Sequence, residues 1–211
     1  MDNLLQTLSV YSVLLPFFAG LVFWKFQDAN ARIMVVLLAF ASVSQLSFIL
    51  PDDKQNVIYN LYIIVDVFFW SLLLYRNAFS KIAKAIILIL FLLFNTIALI
   101  EFYKNGISKS FITELVSLDL IIQVFFVLIY FIEKYRSGKI TRLRKEPMFW
   151  FCLGIMLYAP GTYLLFSTRH IISDEVFKSV WKYHHLFNII LYLLITVGFL
   201  TRINKNILNK R

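Results

Sequence analysis

Seven separate apolar stretches, each about 18–22 residues long, constrain this chain more than any other feature. They fall roughly at residues 4–24, 33–50, 57–75, 82–100, 111–132, 149–166 and 180–200. At helical rise each covers about 30 Å, the thickness of a bilayer's hydrocarbon core. No ten-residue in/out alternation is present, so a membrane barrel is excluded and the backbone must satisfy its polar groups inside helices. The expected fold class is all-α: a polytopic membrane protein, a seven-transmembrane helix bundle filling residues 1–211 as a single domain. Helices instead of a barrel also point to a cell (inner) membrane, multi-pass.

Composition agrees. The chain is 60% apolar, with 22 Phe and 11 Tyr, well above the about 45–50% apolar of soluble domains. Its start, MDNLLQTL, lacks a basic n-region and no small-residue cleavage site follows, so a cleaved secretory signal is not expected. The single cysteine, Cys152, lies in an apolar stretch. An internal disulfide, two-cysteine redox chemistry and a cysteine metal cluster are thereby excluded. The net charge of +9 is read as loop charge facing the anionic headgroups of membrane lipids, and nucleic acid is not an expected partner.

Lysine and arginine fall unevenly on alternate loops. One side, which includes the run Lys134–Lys145 and the C-terminal tail, holds fifteen, and the other side holds six. The positive-inside rule then predicts the N-terminus outside and the C-terminus cytoplasmic. An even number of spans would break the alternation. Pro16 and the Pro160–Gly161 pair predict kinks in the first and sixth spans. Residues 133–147, EKYRSGKITRLRKEP, form the longest loop, a topology signal or a docking surface for a cytoplasmic partner. The tail TRINKNILNKR is expected to make a short interfacial helix with Ile203, Ile207 and Leu208 toward lipid.

Polar side chains inside the spans are the next informative feature, because each is costly in hydrocarbon. Trp181, His185, Asn188 and Tyr192 share one stripe of the last span, with His184 beside it, and Tyr59, Tyr62 and Asp66 share a stripe of the third. Gln45 and Asn95 lie about 9 Å below the outer edge, Asp119 about 12 Å, Asp66 about 13 Å and Gln123 one turn below Asp119. Glu114 lies near the surface, and Tyr158 and Tyr163 flank Pro160. Six of the seven spans, all but the first, are thus expected to place polar groups in one layer of the outer half. The inner half, in VFFWSLLLY, VFFVLIYFI, MFWFCLGIML and LLITVGFL, holds no Asp, Glu, His, Lys or Arg and no Asn or Gln. Asp66 and Asp119 should therefore face the bundle interior, in a cavity with an apolar floor. Gln45, Asn95 and Tyr163 are expected instead to bond only neighbouring helices.

A transporter would need polar groups through the full thickness. A metal-dependent hydrolase would need a ligand cluster, for which His184, His185, Asp66, Asp119 and Glu114 are available. Adjacent histidines on a helix diverge by about 100°, and His170 falls in a loop. Seven-helix hydrolases built on three histidines, an aspartate and a serine therefore match poorly.

Four segments, VLLPFFAG, NLYIIVDVFFWSLLLY, EPMFWFCLGIMLYAPGTYLLF and WKYHHLFNIILYLLITVGFL, resemble a group of small seven-helix membrane proteins of Bacteroidota. Some of that group are found beside sensor histidine kinases. The resemblance extends over nearly the whole chain. It implies that Asn60, Trp150, Tyr158, Gly161, His185 and Asn188 stand at characteristic positions. It also implies a cytoplasmic histidine kinase as partner. The group differs in carrying a glutamate near Asp66 and an acidic residue in the second span, where this chain has Ser or Gln.

The expected function is a sensory or receptor-like integral membrane protein that signals through a separate cytoplasmic partner. A small molecule or lipid headgroup would bind among Tyr62, Asp66, Asp119, Tyr158, His185 and Asn188. No catalytic set, metal site or cofactor is assigned. A membrane-embedded metal-dependent hydrolase or lipid-modifying enzyme is the first alternative and a small transporter the second.

Overall fold

The computed structural model describes residues 2–108, 112–138, 140–168 and 171–208. These form helices α1 (Asp2–Ser12), α2 (Leu14–Val22), α3 (Ala29–Leu46), α4 (Asp52–Asn77), α5 (Lys81–Asn105), α6 (Thr113–Arg136), α7 (Pro147–Thr168) and α8 (Asp174–Leu208). The described residues are 90% helical, with no strand. Seven helices are long and apolar enough to cross a membrane, the first combining α1 and α2. This is a multi-pass membrane protein.

Local chemistry accounts for where the helices begin and break. The Asp28 carboxylate accepts from the Ala31 amide at 2.9 Å to cap α3, and the Ser80 hydroxyl accepts from the Ala83 amide at 3.1 Å to cap α5. Pro51 precedes α4, whose first turn carries Asp52 and Asp53, acidic groups that suit a helix N-terminus. Pro147 is the first residue of α7, where its missing N–H costs nothing. Pro16 cannot donate to the Ser12 carbonyl, and the first span is divided at Val13 into α1 and α2. Pro160 acts differently: α7 runs past it without a break.

Six of the spans close into a ring. Around it α2 packs on α3, α3 on α4, α4 on α6, α6 on α7 and α7 on α8, and α8 returns to α1 and α2. Helix α5 stands outside, packed on α4 and α6. Its buried residues Ala83, Ile87, Phe94 and Ala98 form one narrow stripe, and the rest of its surface, including Ile82, Ile89 and Leu99, is exposed. A helix apolar on every side belongs against lipid.

Helices α7 and α8 approach closely because glycines face ring systems. A side chain at Gly161 would run into the Phe187 ring, and one at Gly198 would meet Phe151 Cε1 at 2.6 Å and the Pro147 carbonyl at 3.0 Å. Small residues at such crossings let helices gain dispersion contacts that lipid would otherwise supply.

Because successive spans alternate, the bundle has two ends. The upper end carries the start of α1 and the starts of α4, α6 and α8. The lower end carries the α4–α5 and α6–α7 connections. At the lower end two expectations need correction. Residues 133–147 are not a free loop: α6 continues to Arg136, a 3-10 turn spans Ile140–Lys145, and α7 follows at Pro147. The C-terminal segment is not a separate helix, since α8 continues unbroken to Leu208. The side chains of Ile203, Ile207 and Leu208 lie outside the described residues, as do Lys139, Arg169, His170 and 209–211.

Candidate functional site

The ring encloses a cavity of about 590 Å³. All six expected site residues, Tyr62, Asp66, Asp119, Tyr158, His185 and Asn188, line it. The volume falls in the about 300–1,000 Å³ range usual for small-molecule pockets.

At its base two carboxylates are held by one amide. Gln123 Nε2 donates to Asp66 Oδ2 at 2.5 Å and to Asp119 Oδ1 at 2.8 Å, so its two hydrogens bridge α4 and α6. The Tyr62 hydroxyl donates to Asp66 Oδ1 at 3.2 Å. Gln123 is the keystone here, since Asp119 and Gln123 are one helical turn apart and point the same way. Two atoms of this cluster remain open. Gln123 Oε1 is buried with no partner among the described residues, and Asp119 Oδ2 accepts from none of them. The other buried polar atoms without a partner, Gln27 Oε1 and Tyr130 Oη, lie outside this cavity.

The wall toward the upper end is aromatic. His184 stacks on Trp181 with ring centroids 4.6 Å apart, Phe166 and Phe177 pack on Trp181 at 5.4 and 5.0 Å, and Tyr158 lies 5.9 Å from His184. His185 meets Trp181 edge-on at 6.3 Å. His184 Nδ1 is 3.5 Å from Thr162 Oγ1, a link between α8 and α7. Asn188 lines the cavity and also holds it shut at one seam, donating to Ser9 Oγ at 3.0 Å and to the Ser9 carbonyl at 3.3 Å.

Helix α4 runs from Asp52 to Asn77, so Asp66 lies near the middle of the helix and the carboxylate pair near mid-height of the bundle. That is in keeping with a depth of about 13 Å in a core of about 30 Å. Below it the lining is Met34, Leu37, Trp70, Ile155 and Ile195, and beneath that Leu73, Phe126, Phe151 and Phe199 are fully buried. An apolar floor lies directly below the pair, where the segment after Asp66 places it.

The set of contributing helices differs from that expected. Asn95 donates to the Phe91 carbonyl of its own helix at 2.8 Å, and α5 sends no side chain to the cavity. Helix α1 takes its place with Gln6 and Ser9, two residues that sequence reasoning passed over. Gln45 lines the cavity, contrary to expectation, whereas Tyr163 packs against the core and does not. Glu114 is exposed, within 3.3 Å of the Thr113 hydroxyl. Asn60 does not reach the cavity. Its Nδ2 donates to the Ile107 carbonyl at 2.8 Å and its Oδ1 accepts from the Ile112 amide at 3.2 Å, which staples the α5–α6 connection. No three His, Cys, Asp or Glu side chains gather into a metal-ligating group among the described residues.

No protein-family model, curated protein or solved structure matches this chain.

The lower end holds a second polar cluster of another kind. Glu133 Oε2 accepts from the Phe79 and Ser80 amides, both at 2.8 Å, and Oε1 from the Ser80 hydroxyl at 2.9 Å. Lys134, treated above as loop charge, is buried and pairs with Glu146 at 2.6 Å. The Trp150 indole donates to the Arg144 carbonyl at 2.9 Å. Together these contacts fasten α6, α7 and the turn before α5.

Proposed function

We propose that this protein is a sensory or receptor-like membrane module. A small ligand enters the cavity from the outer side, and a separate cytoplasmic protein reads its occupancy. The observation that carries this reading is the mid-depth pair Asp66–Asp119, with unsatisfied oxygens beside it, at the base of a cavity closed beneath by packed hydrocarbon. Such a site has the volume to hold a small molecule and no polar path onward. The lysine and arginine imbalance supports an outer position for the upper end.

Helix α7 is the element suited to carry the signal. Tyr158 and Phe166 line the cavity, Thr162 contacts His184, and the same helix begins at the Lys134–Glu146 pair about 16 Å below Tyr158. A change at the cavity wall that shifts α7 therefore also moves the basic surface around Arg144 and Lys145, both exposed. A histidine kinase of the kind implied by the resemblance is the partner class we propose.

Small molecules and lipids that co-purify with the intact protein should be identified by mass spectrometry and added back to stripped protein. Asp66→Asn and His185→Ala are expected to abolish ligand-induced thermal stabilisation without loss of folding. Unchanged stabilisation in both variants removes the pocket assignment. Stoichiometric metal in the purified protein, or substrate flux in proteoliposomes, would favour the hydrolase or the transporter instead.

A further inference from the structure

The cavity's lining is chemically one-sided. Among the described residues Asp66 and Asp119 are its acidic side chains, no lysine or arginine lines it, and its bases are the imidazoles of His184 and His185. The two carboxylates are 8% and 6% exposed and share one neutral amide. A buried carboxylate pair without a cationic partner is strongly unfavourable unless a proton or another cation neutralises it. Two open acceptors stand at the base: Asp119 Oδ2 bonds to none of the described residues, and Gln123 Oε1, on a side chain 3% exposed, is without a partner among them. A group that fits must bring donors and a positive charge. The walls beside and above the base are π-surfaces, among them Tyr62, Tyr158, Phe166, Trp181 and Tyr192. Aromatic faces attract cations and cover organic bodies, and they do little for an anion. The volume of about 590 Å³ is far more than a bare metal ion fills.

Resting on the receptor reading above, we propose that the ligand is an organic ammonium ion. Its N–H groups donate to Asp119 Oδ2 and Gln123 Oε1, its charge offsets the Asp66–Asp119 pair, and its carbon body lies against the aromatic wall. The ammonium belongs to a free amine or to the ethanolamine headgroup of a phospholipid; the site recognises the same chemistry in both.

The test uses full-length protein, stripped of lipid in detergent, and three probes of nearly equal shape: 2-phenylethylammonium, 2-phenylethanol and 3-phenylpropionate. Thermal unfolding should show stabilisation by the ammonium ion at millimolar concentration and none by the other two. Asp119→Asn and Asp66→Asn should each weaken the apparent affinity at least tenfold. The charge series on the unmodified protein decides the matter if either variant folds poorly. Equal stabilisation by the alcohol or the carboxylate overturns the ammonium assignment and leaves the pocket standing. No stabilisation by any probe, with no difference between nanodiscs of phosphatidylethanolamine and of phosphatidylglycerol, overturns both. Equal stabilisation by sodium or calcium chloride assigns the carboxylates to an inorganic cation and overturns the proposal. Stabilisation in phosphatidylethanolamine nanodiscs that soluble amine does not increase identifies the headgroup as the source, whereas a shift in lipid-free protein identifies a free amine.

Discussion

Two buried acidic centres, one at mid-depth and one at the lower end, differ in how completely the protein satisfies them. Glu133 is surrounded by three donors from one turn, two of them backbone amides, and its neighbour Lys134 is ion-paired with Glu146. Asp66 is met by the Tyr62 phenol, the Gln123 amide and the Trp70 indole, whereas Asp119 has only that same amide. Asp119 Oδ2 and Gln123 Oε1 stay open among the described residues. Saturation marks an acid that the fold uses as a fastener. Incomplete saturation beside a cavity marks an acid kept for something else, because an open acceptor in a low-dielectric setting costs stability that no internal contact returns.

That contrast can be broken by mutation, and the largest effect is expected at the lower end. Glu133→Ala leaves two amides and a hydroxyl without their acceptor and should destabilise the protein by about 3 kcal/mol in reversible detergent unfolding. Ligand-dependent stabilisation should persist in whatever fraction folds. Gly198→Val drives a branched side chain into Phe151 and the Pro147 carbonyl and should cost about 2 kcal/mol by overpacking. Lys134→Met keeps the aliphatic stem and removes the charge, leaving Glu146 half-exposed and unpaired, and should cost about 1 kcal/mol.

The sign should reverse at the cavity. Asp119→Asn removes one of two neighbouring buried charges and is expected to leave stability unchanged or raise it by up to about 1 kcal/mol, while ligand-dependent stabilisation is lost. A large loss of stability there would put Asp119 in the same class as Glu133 and remove the distinction. The smallest effect belongs to Asn95→Leu on the peripheral helix. It should stay within about 0.5 kcal/mol and leave ligand response intact, as expected of a residue bonded only to its own helix.

Particular residues show why part of the site was legible. Trp181, His185, Asn188 and Tyr192 follow helical spacing, as do Tyr59, Tyr62 and Asp66, so their shared faces could be read from position alone. Placing carboxylates against the interior needs only the cost of charge in hydrocarbon. Gln6 and Ser9 were passed over because small polar residues near a helix end look like headgroup contacts. Asn95 shares the depth of the others yet turns back to its own helix, because depth says nothing about direction around the bundle axis. Lys134 was counted with its basic neighbours, and its partner Glu146 lies across a turn whose path periodicity does not reveal.

What the amino-acid order settles by itself is the class and the count: seven apolar helices, which residues share a face on each, and an acidic pair that cannot face lipid. These follow from helical geometry and the energetics of transfer into hydrocarbon, both local to a segment. Only the tertiary structure decides that α5 lies outside the ring, that α1 completes the cavity wall, that Gln123 joins the two carboxylates, and that the lower end is fastened through Glu133 and Lys134. Each of those depends on how one helix is rotated against another. Rotation is set by the combined fit of many side chains, Gly161 against Phe187 among them, and no single segment contains it.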